Sequence, residues 1–128
     1  MKLASTIARY LLGLIFTVIG LNGFLHFIPM APMPPLASQF IAVLDASHYM
    51  VFVFLLQVAC GLLFLANRYV PLALTLIAPV IVNILLVHLL MNPSGILPGA
   101  IATICWFVVF NSVRPAFAGI LRNQVQRG

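Results

Sequence analysis

The sequence predicts an all-α fold, a four-helix transmembrane bundle with both termini in the cytoplasm, on three observations. Of 128 residues, 64% are hydrophobic and 5% are charged, whereas a soluble domain carries charge on roughly a quarter of its residues. The apolar residues fall into four runs separated by Pro, Gly, Asn and Arg turn signals. All Lys and Arg side chains fall on one side of the bilayer that these runs define. With a mean hydropathy of +1.22, the bilayer is the solvent, which excludes a soluble enzyme domain and a disordered tail.

The first run, Ile7 to Phe27, is interrupted by Asn22 and His26. At about 1.5 Å per residue it is long enough to cross a hydrocarbon core of about 30 Å. Lys2 and Arg9 precede or open this run, as in a signal peptide. The run is long, however, and Phe24 to Ile28 offers no small-residue cleavage motif, so it reads as a retained helix. Pro29, Pro32, Pro34 and Pro35 then interrupt regular structure. Leu36 to Leu44 is apolar enough for a short helix or re-entrant cap over the bundle, or for an interfacial connector without a ligand role.

The second span covers Tyr49 to Leu65, and Asn67-Arg68 make a short turn before Pro71 opens the third, which continues to Met91. So short a connection makes these two helices antiparallel neighbours. Asn92, Pro93, Ser94 and Gly95 form the next turn, and the fourth span runs from Ile96 to Val113. In the tail, Ala116 to Gly128, Phe117, Ile120, Leu121 and Val125 alternate with Arg122, Gln124 and Arg127. That pattern predicts a short amphipathic helix along the membrane surface at the start of the tail. The chain is thus one integral membrane domain, residues 1–128.

Four spans put the N-terminal segment, the Asn67-Arg68 turn and the tail on one side, together with Lys2, Arg9, Arg68, Arg114, Arg122 and Arg127. The opposite side carries the single acidic residue, Asp45, and no Lys or Arg, so the positive-inside rule places both termini in the cytoplasm. The formal net charge of +5 is too dispersed to form a basic stripe, which argues against nucleic-acid binding.

Polar groups inside a bilayer face protein or water, because an unpaired one in lipid is costly. Asn22, His26, Gln57, Asn83 and His88 all fall between the midplane and the outer surface, and form a candidate polar pocket. Asn22 and His26, four residues apart, share one helix face. The five-residue step from Asn83 to His88 turns the side chains about 140° apart on a regular helix. Pro79, which removes the bond to the Thr75 carbonyl, supplies a place for a kink. The alternative for these residues is interhelical hydrogen bonding that specifies packing. An imidazole at His26 or His88 suits hydrogen bonding to a quinone-like carbonyl. Trp106 either stacks on a flat ligand or fills the core.

Gly13, Gly20 and Gly23 permit close helix approach without a GxxxG spacing. Cys60 and Cys105 lie in apolar runs and lack CxxC spacing, so they read as small packing residues. One loop carboxylate cannot supply paired general acid/base groups, and three dispersed histidines are not a zinc pattern. Two bilayer histidines without a ligation motif make haem a remote option. The spans hold no acid of the kind that couples protons to export in small multidrug transporters. No catalytic residue set emerges, and the sequence argues against an autonomous enzyme.

Arg9-Tyr10-Leu11-Leu12-Gly13, Gly20-Leu21-Asn22-Gly23, His26 and the proline-rich loop are followed by Gln57, Gly61 and Asn67-Arg68-Tyr69-Val70-Pro71. Ala78-Pro79-Val80, Asn83-Ile84-Leu85-Leu86 and His88 complete a pattern that resembles the DoxX-like family of small bacterial integral membrane proteins. The resemblance covers the chain apart from its C-terminal tail. It implies a four-helix fold in the bacterial inner membrane. The family takes its name from a subunit of an archaeal thiosulfate:quinone oxidoreductase, and some relatives are linked with redox stress or respiratory quinones. The expectation is a noncatalytic module that binds a small hydrophobic, quinone-like ligand or supports a redox complex. The alternatives are a membrane subunit of a quinone-linked oxidoreductase and a small-solute transporter. Quinone is the candidate cofactor, with membrane lipids, a second copy of the chain or a redox-complex subunit as candidate partners.

Overall fold

The computed structural model describes residues 2–124, which form five α-helices and, among the described residues, no strand. They are α1 (Lys2–Leu25), α2 (Pro35–Ala46), α3 (Tyr49–Ala66), α4 (Val70–Met91) and α5 (Leu97–Ser112). Three of them, α1, α3 and α4, are long and apolar enough to cross a membrane. With 16 residues, α5 rises only roughly 24 Å, short of a core about 30 Å thick.

The ends of the helices follow from local chemistry. α1 begins five residues before the expected Ile7, because nothing in Lys2 to Thr6 breaks a helix and Ser5 and Thr6 donate back to the Lys2 carbonyl at 3.1 and 2.8 Å. It stops at Leu25, two residues before the expected Phe27, because His26 turns left-handed at φ 52°. Pro34 and Pro35 open α2, where a fixed φ and a missing N–H cost nothing. α3 ends at Asn67, left-handed at φ 54°, where the Arg68 N–H reaches back to the Leu63 carbonyl at 3.0 Å. α4 runs unbroken through Pro79.

The C-terminal tail departs from expectation. Val113 leaves helical geometry, a single 3₁₀ turn covers Arg114–Phe117, and turns follow in place of an amphipathic α-helix. Pro115 lacks the N–H that would continue the α5 ladder. Val125 and Arg127, on which that expectation also drew, lie outside the described residues.

α1 packs most extensively on α3 and also on α5, α4 contacts both α3 and α5, and α2 lies across α3 and α4. The shared core holds Leu12 and Phe16 of α1, Cys60 and Phe64 of α3, Leu74 and Ile77 of α4, and Val109 of α5. The outward faces carry exposed Leu55, Leu62, Leu72, Leu89, Ile104 and Phe107, the apolar exterior of helices solvated by lipid.

Candidate functional site

The α1–α3 contact is built from missing side chains. A Cβ on Gly13 would lie 2.7 Å from Leu65 and 3.0 Å from the Gly61 carbonyl, and one on Gly20 would lie 3.0 Å from the Phe54 carbonyl. From the facing helix, a Cβ on Gly61 would fall 2.6 Å from the backbone nitrogen of Thr17. The two backbones therefore touch, as small residues allow. Gln57, Cys60, Gly61 and Phe64 are buried at helical spacing along α3, so the carboxamide of Gln57 shares the core-facing side with that contact.

Gln57 is 3% exposed, and its Oε1 has no hydrogen-bond partner. Thr17 Oγ1, in the same α1–α3 contact, is also buried and unpartnered. A buried polar atom left without a partner costs about 1–3 kcal/mol, so Gln57 and Thr17 mark places where the interior is polar without being satisfied.

The other candidate residues have local partners. Asn22 Oδ1 accepts from the Ile28 N–H at 2.7 Å and so ties down the chain beyond α1. His26 is exposed, and its backbone N–H donates to the Asn22 carbonyl at 2.8 Å. Asn83 faces outward on α4, where its Nδ2–H donates to the Pro79 carbonyl at 2.9 Å. His88 Nδ1 lies 3.2 Å from the Asn92 carbonyl, which requires the proton on Nδ1. No side-chain hydrogen bond joins any two of the five among the described residues, and they divide between a buried Gln57, half-buried Asn22 and His88, and exposed His26 and Asn83.

Trp106 donates from Nε1 to the Leu74 carbonyl at 3.0 Å and stacks on Phe110, with ring centroids 5.2 Å apart and planes inclined by 8°. The indole thus joins α5 to α4 and spends one face on a protein ring. Cys60 and Cys105 are free thiols in the core. Among the described residues, no three His, Cys, Asp or Glu side chains come together as metal ligands.

Two residues carry more than their sequence positions suggested. Thr17 lies four residues after Gly13 and three before Gly20, so the glycine spacing that brings α1 to α3 also aims its hydroxyl there. Arg9 was legible as a flanking charge of the first run and not as a contact between helices, yet its Nη1–H donates to the carbonyls of Phe64 and Leu65 at the end of α3. A cation there joins the Asn67 N–H on the Phe64 carbonyl, supplies a donor to the Leu65 carbonyl and complements the helix dipole.

No family model matches the chain, and neither a curated protein nor a solved structure matches it.

Proposed function

We propose that this chain is a noncatalytic membrane module of four spans, α1, α3, α4 and α5, related to the DoxX-like proteins of bacterial inner membranes, with both termini cytoplasmic. Its role in this reading is to hold a small hydrophobic, quinone-like molecule, alone or within a redox complex. The observation that carries the reading is the buried, unpartnered Oε1 of Gln57 among the apolar side chains of the core. A quinol hydroxyl supplies the donor that Oε1 lacks, and the Gln57 N–H groups suit a quinone carbonyl. The ring itself is apolar and enters such a site from lipid.

A membrane subunit of a quinone-linked oxidoreductase is favoured by a second observation. Asn83 points a carboxamide outward from α4 with a single hydrogen bond, to its own helix. A polar group on a lipid-facing surface is most readily satisfied by another protein chain.

Native mass spectrometry of the gently extracted chain, followed by organic extraction of whatever it retains, tests the reading. Gln57→Leu distinguishes its outcomes. Retention of a quinone that falls with Gln57→Leu supports the proposal. If Gln57 is only a frustrated packing residue, Gln57→Leu raises thermal stability and leaves the retained molecules unchanged, which overturns it.

A further inference from the structure

Among the described residues Arg9 is the cation drawn into the helix packing: it is half-buried, whereas Lys2, Arg68, Arg114 and Arg122 are exposed. Its Nη1 serves the Phe64 and Leu65 carbonyls, and its guanidinium carbon lies 4.5 Å from the centroid of the Tyr10 ring. Those contacts hold the guanidinium plane while Nε and Nη2 keep N–H groups without a hydrogen-bond partner among the described residues. No side-chain carboxylate is at hand, because the single acidic residue, Asp45, lies near the end of α2.

Beside the guanidinium lies a recess of about 180 Å³ between the first turns of α1, the α3–α4 turn and the end of α5. Ser5, Thr6, Arg9, Asn67, Val70 and Ser112 line it. The space is several times the roughly 30 Å³ that one water occupies. The three hydroxyls now donate to backbone carbonyls, Ser5 and Thr6 to Lys2 and Ser112 to Val109. Rotation about each C–O bond turns that donor toward an incoming acceptor. A fixed guanidinium fork, hydroxyls and a carboxamide, with no competing acid, are the donor set that recognises a tetrahedral oxyanion.

The depth of the recess narrows the ligand. Arg9 is level with the last turn of α3 through its bonds to Phe64 and Leu65, and α3 is 18 residues long. Such a helix rises roughly 27 Å, so its end marks the edge of a hydrocarbon core about 30 Å thick. Lipid phosphates lie just beyond that edge, where the first turns of α1 stand beside the recess.

We propose that this recess is a phosphate site, filled in the membrane by the headgroup phosphate of an anionic phospholipid, with Arg9 as its charged anchor. It is separate from the Gln57 site and rests only on the membrane-spanning reading of the helices.

The test uses the full chain in neutral detergent, with phosphatidylglycerol and phosphatidylcholine offered in equal amounts and bound lipid read by native mass spectrometry. Three variants accompany the wild type. Arg9→Gln removes the anchor but also a cap of α3, so Ser112→Leu fills the recess while leaving Arg9 and its bonds in place. Arg68→Gln removes an equal charge at the same end outside the recess. The expected result is selective retention of phosphatidylglycerol, weakened about tenfold in Arg9→Gln and in Ser112→Leu, the size of one lost hydrogen bond to a charged group, and unchanged in Arg68→Gln.

Thermal stability with inorganic phosphate against chloride at matched ionic strength separates the sources. A phosphate-dependent rise that Ser112→Leu abolishes, without lipid selectivity, keeps the phosphate site and assigns it to a free anion. Equal lipid binding by wild type, Arg9→Gln and Ser112→Leu with no phosphate effect overturns the proposal. An Arg68→Gln loss as large as that of Arg9→Gln also overturns it, because general attraction then explains the binding.

Discussion

Single side chains at the helix junctions decide how this chain is held together. Trp106 bonds to an α4 carbonyl across 3.0 Å and lies flat on Phe110, so Trp106→Phe removes one hydrogen bond and part of a ring from the α4–α5 contact. The expected loss is roughly 1–3 kcal/mol, read as a lower unfolding midpoint in detergent. His48 sits at φ 62° ahead of α3 with its side chain exposed. A left-handed conformation costs an L-residue about 1–2 kcal/mol, so His48→Gly is expected to raise the same midpoint by relieving it. Gln57 was legible as a polar residue because it is a lone amide in an apolar run. The local roles of Asn22 and His26 were not, because they depend on where α1 stops. With the helix ending at Leu25 instead of Phe27, Asn22 falls in its last turn and its carboxamide is spent on the Ile28 backbone.

Between helices, the smallest residues set the closest approach. Gly61→Ala places a methyl 2.6 Å from the Thr17 backbone nitrogen and 3.0 Å from the Gly13 carbonyl. Neither backbone atom can swing aside as the end of a side chain does, so α1 and α3 must separate. Overpacking of this kind costs about 1–3 kcal/mol, and the expected result is a lower midpoint with loss of whatever Gln57 retains. Gly119→Ala is the matched control, since its nearest neighbour is a side-chain nitrogen of Arg122 at 3.9 Å, and it should leave stability unchanged. The edges of α3 and α4 were readable from Tyr49, Asn67, Pro71 and Asn92 because turn chemistry is local. The α1–α3 pairing was not readable, because its motif is divided: Gly13, Thr17 and Gly20 on one helix meet Gly61 on another, and neither stretch alone has the GxxxG spacing. The tail failed for the opposite reason, since its apolar pattern suited a helix while Pro115 and Gly119 interrupted it.

At the scale of the molecule, α5 decides the topology. Its 16 residues are few for a span, but Ser112 lines the same recess as Ser5 and Thr6 at the start of α1. At its other end, it follows directly on the Pro93–Gly95 turn, where Gly95 abuts His88 of α4. The helix therefore runs from the far end of α4 to the near end of α1. The 3₁₀ turns at Pro93–Gly95 and Arg114–Phe117 extend it at about 2 Å per residue, and a bilayer thins to meet a short span at a fraction of a kcal/mol per Å. If α5 crosses as proposed, Lys2, Arg9, Arg68 and Arg114 gather toward one side and Asp45 toward the other, the asymmetry on which the proposed orientation rests. A phosphatase reporter active only outside the cytoplasm should stay inactive when fused to either terminus and become active when inserted between Met30 and Pro34, in the segment joining α1 to α2. Activity at the C-terminus alone would mean that three helices cross and α5 does not. Activity at both termini with none at the insertion would invert the molecule and place the Arg9 recess against the outer leaflet.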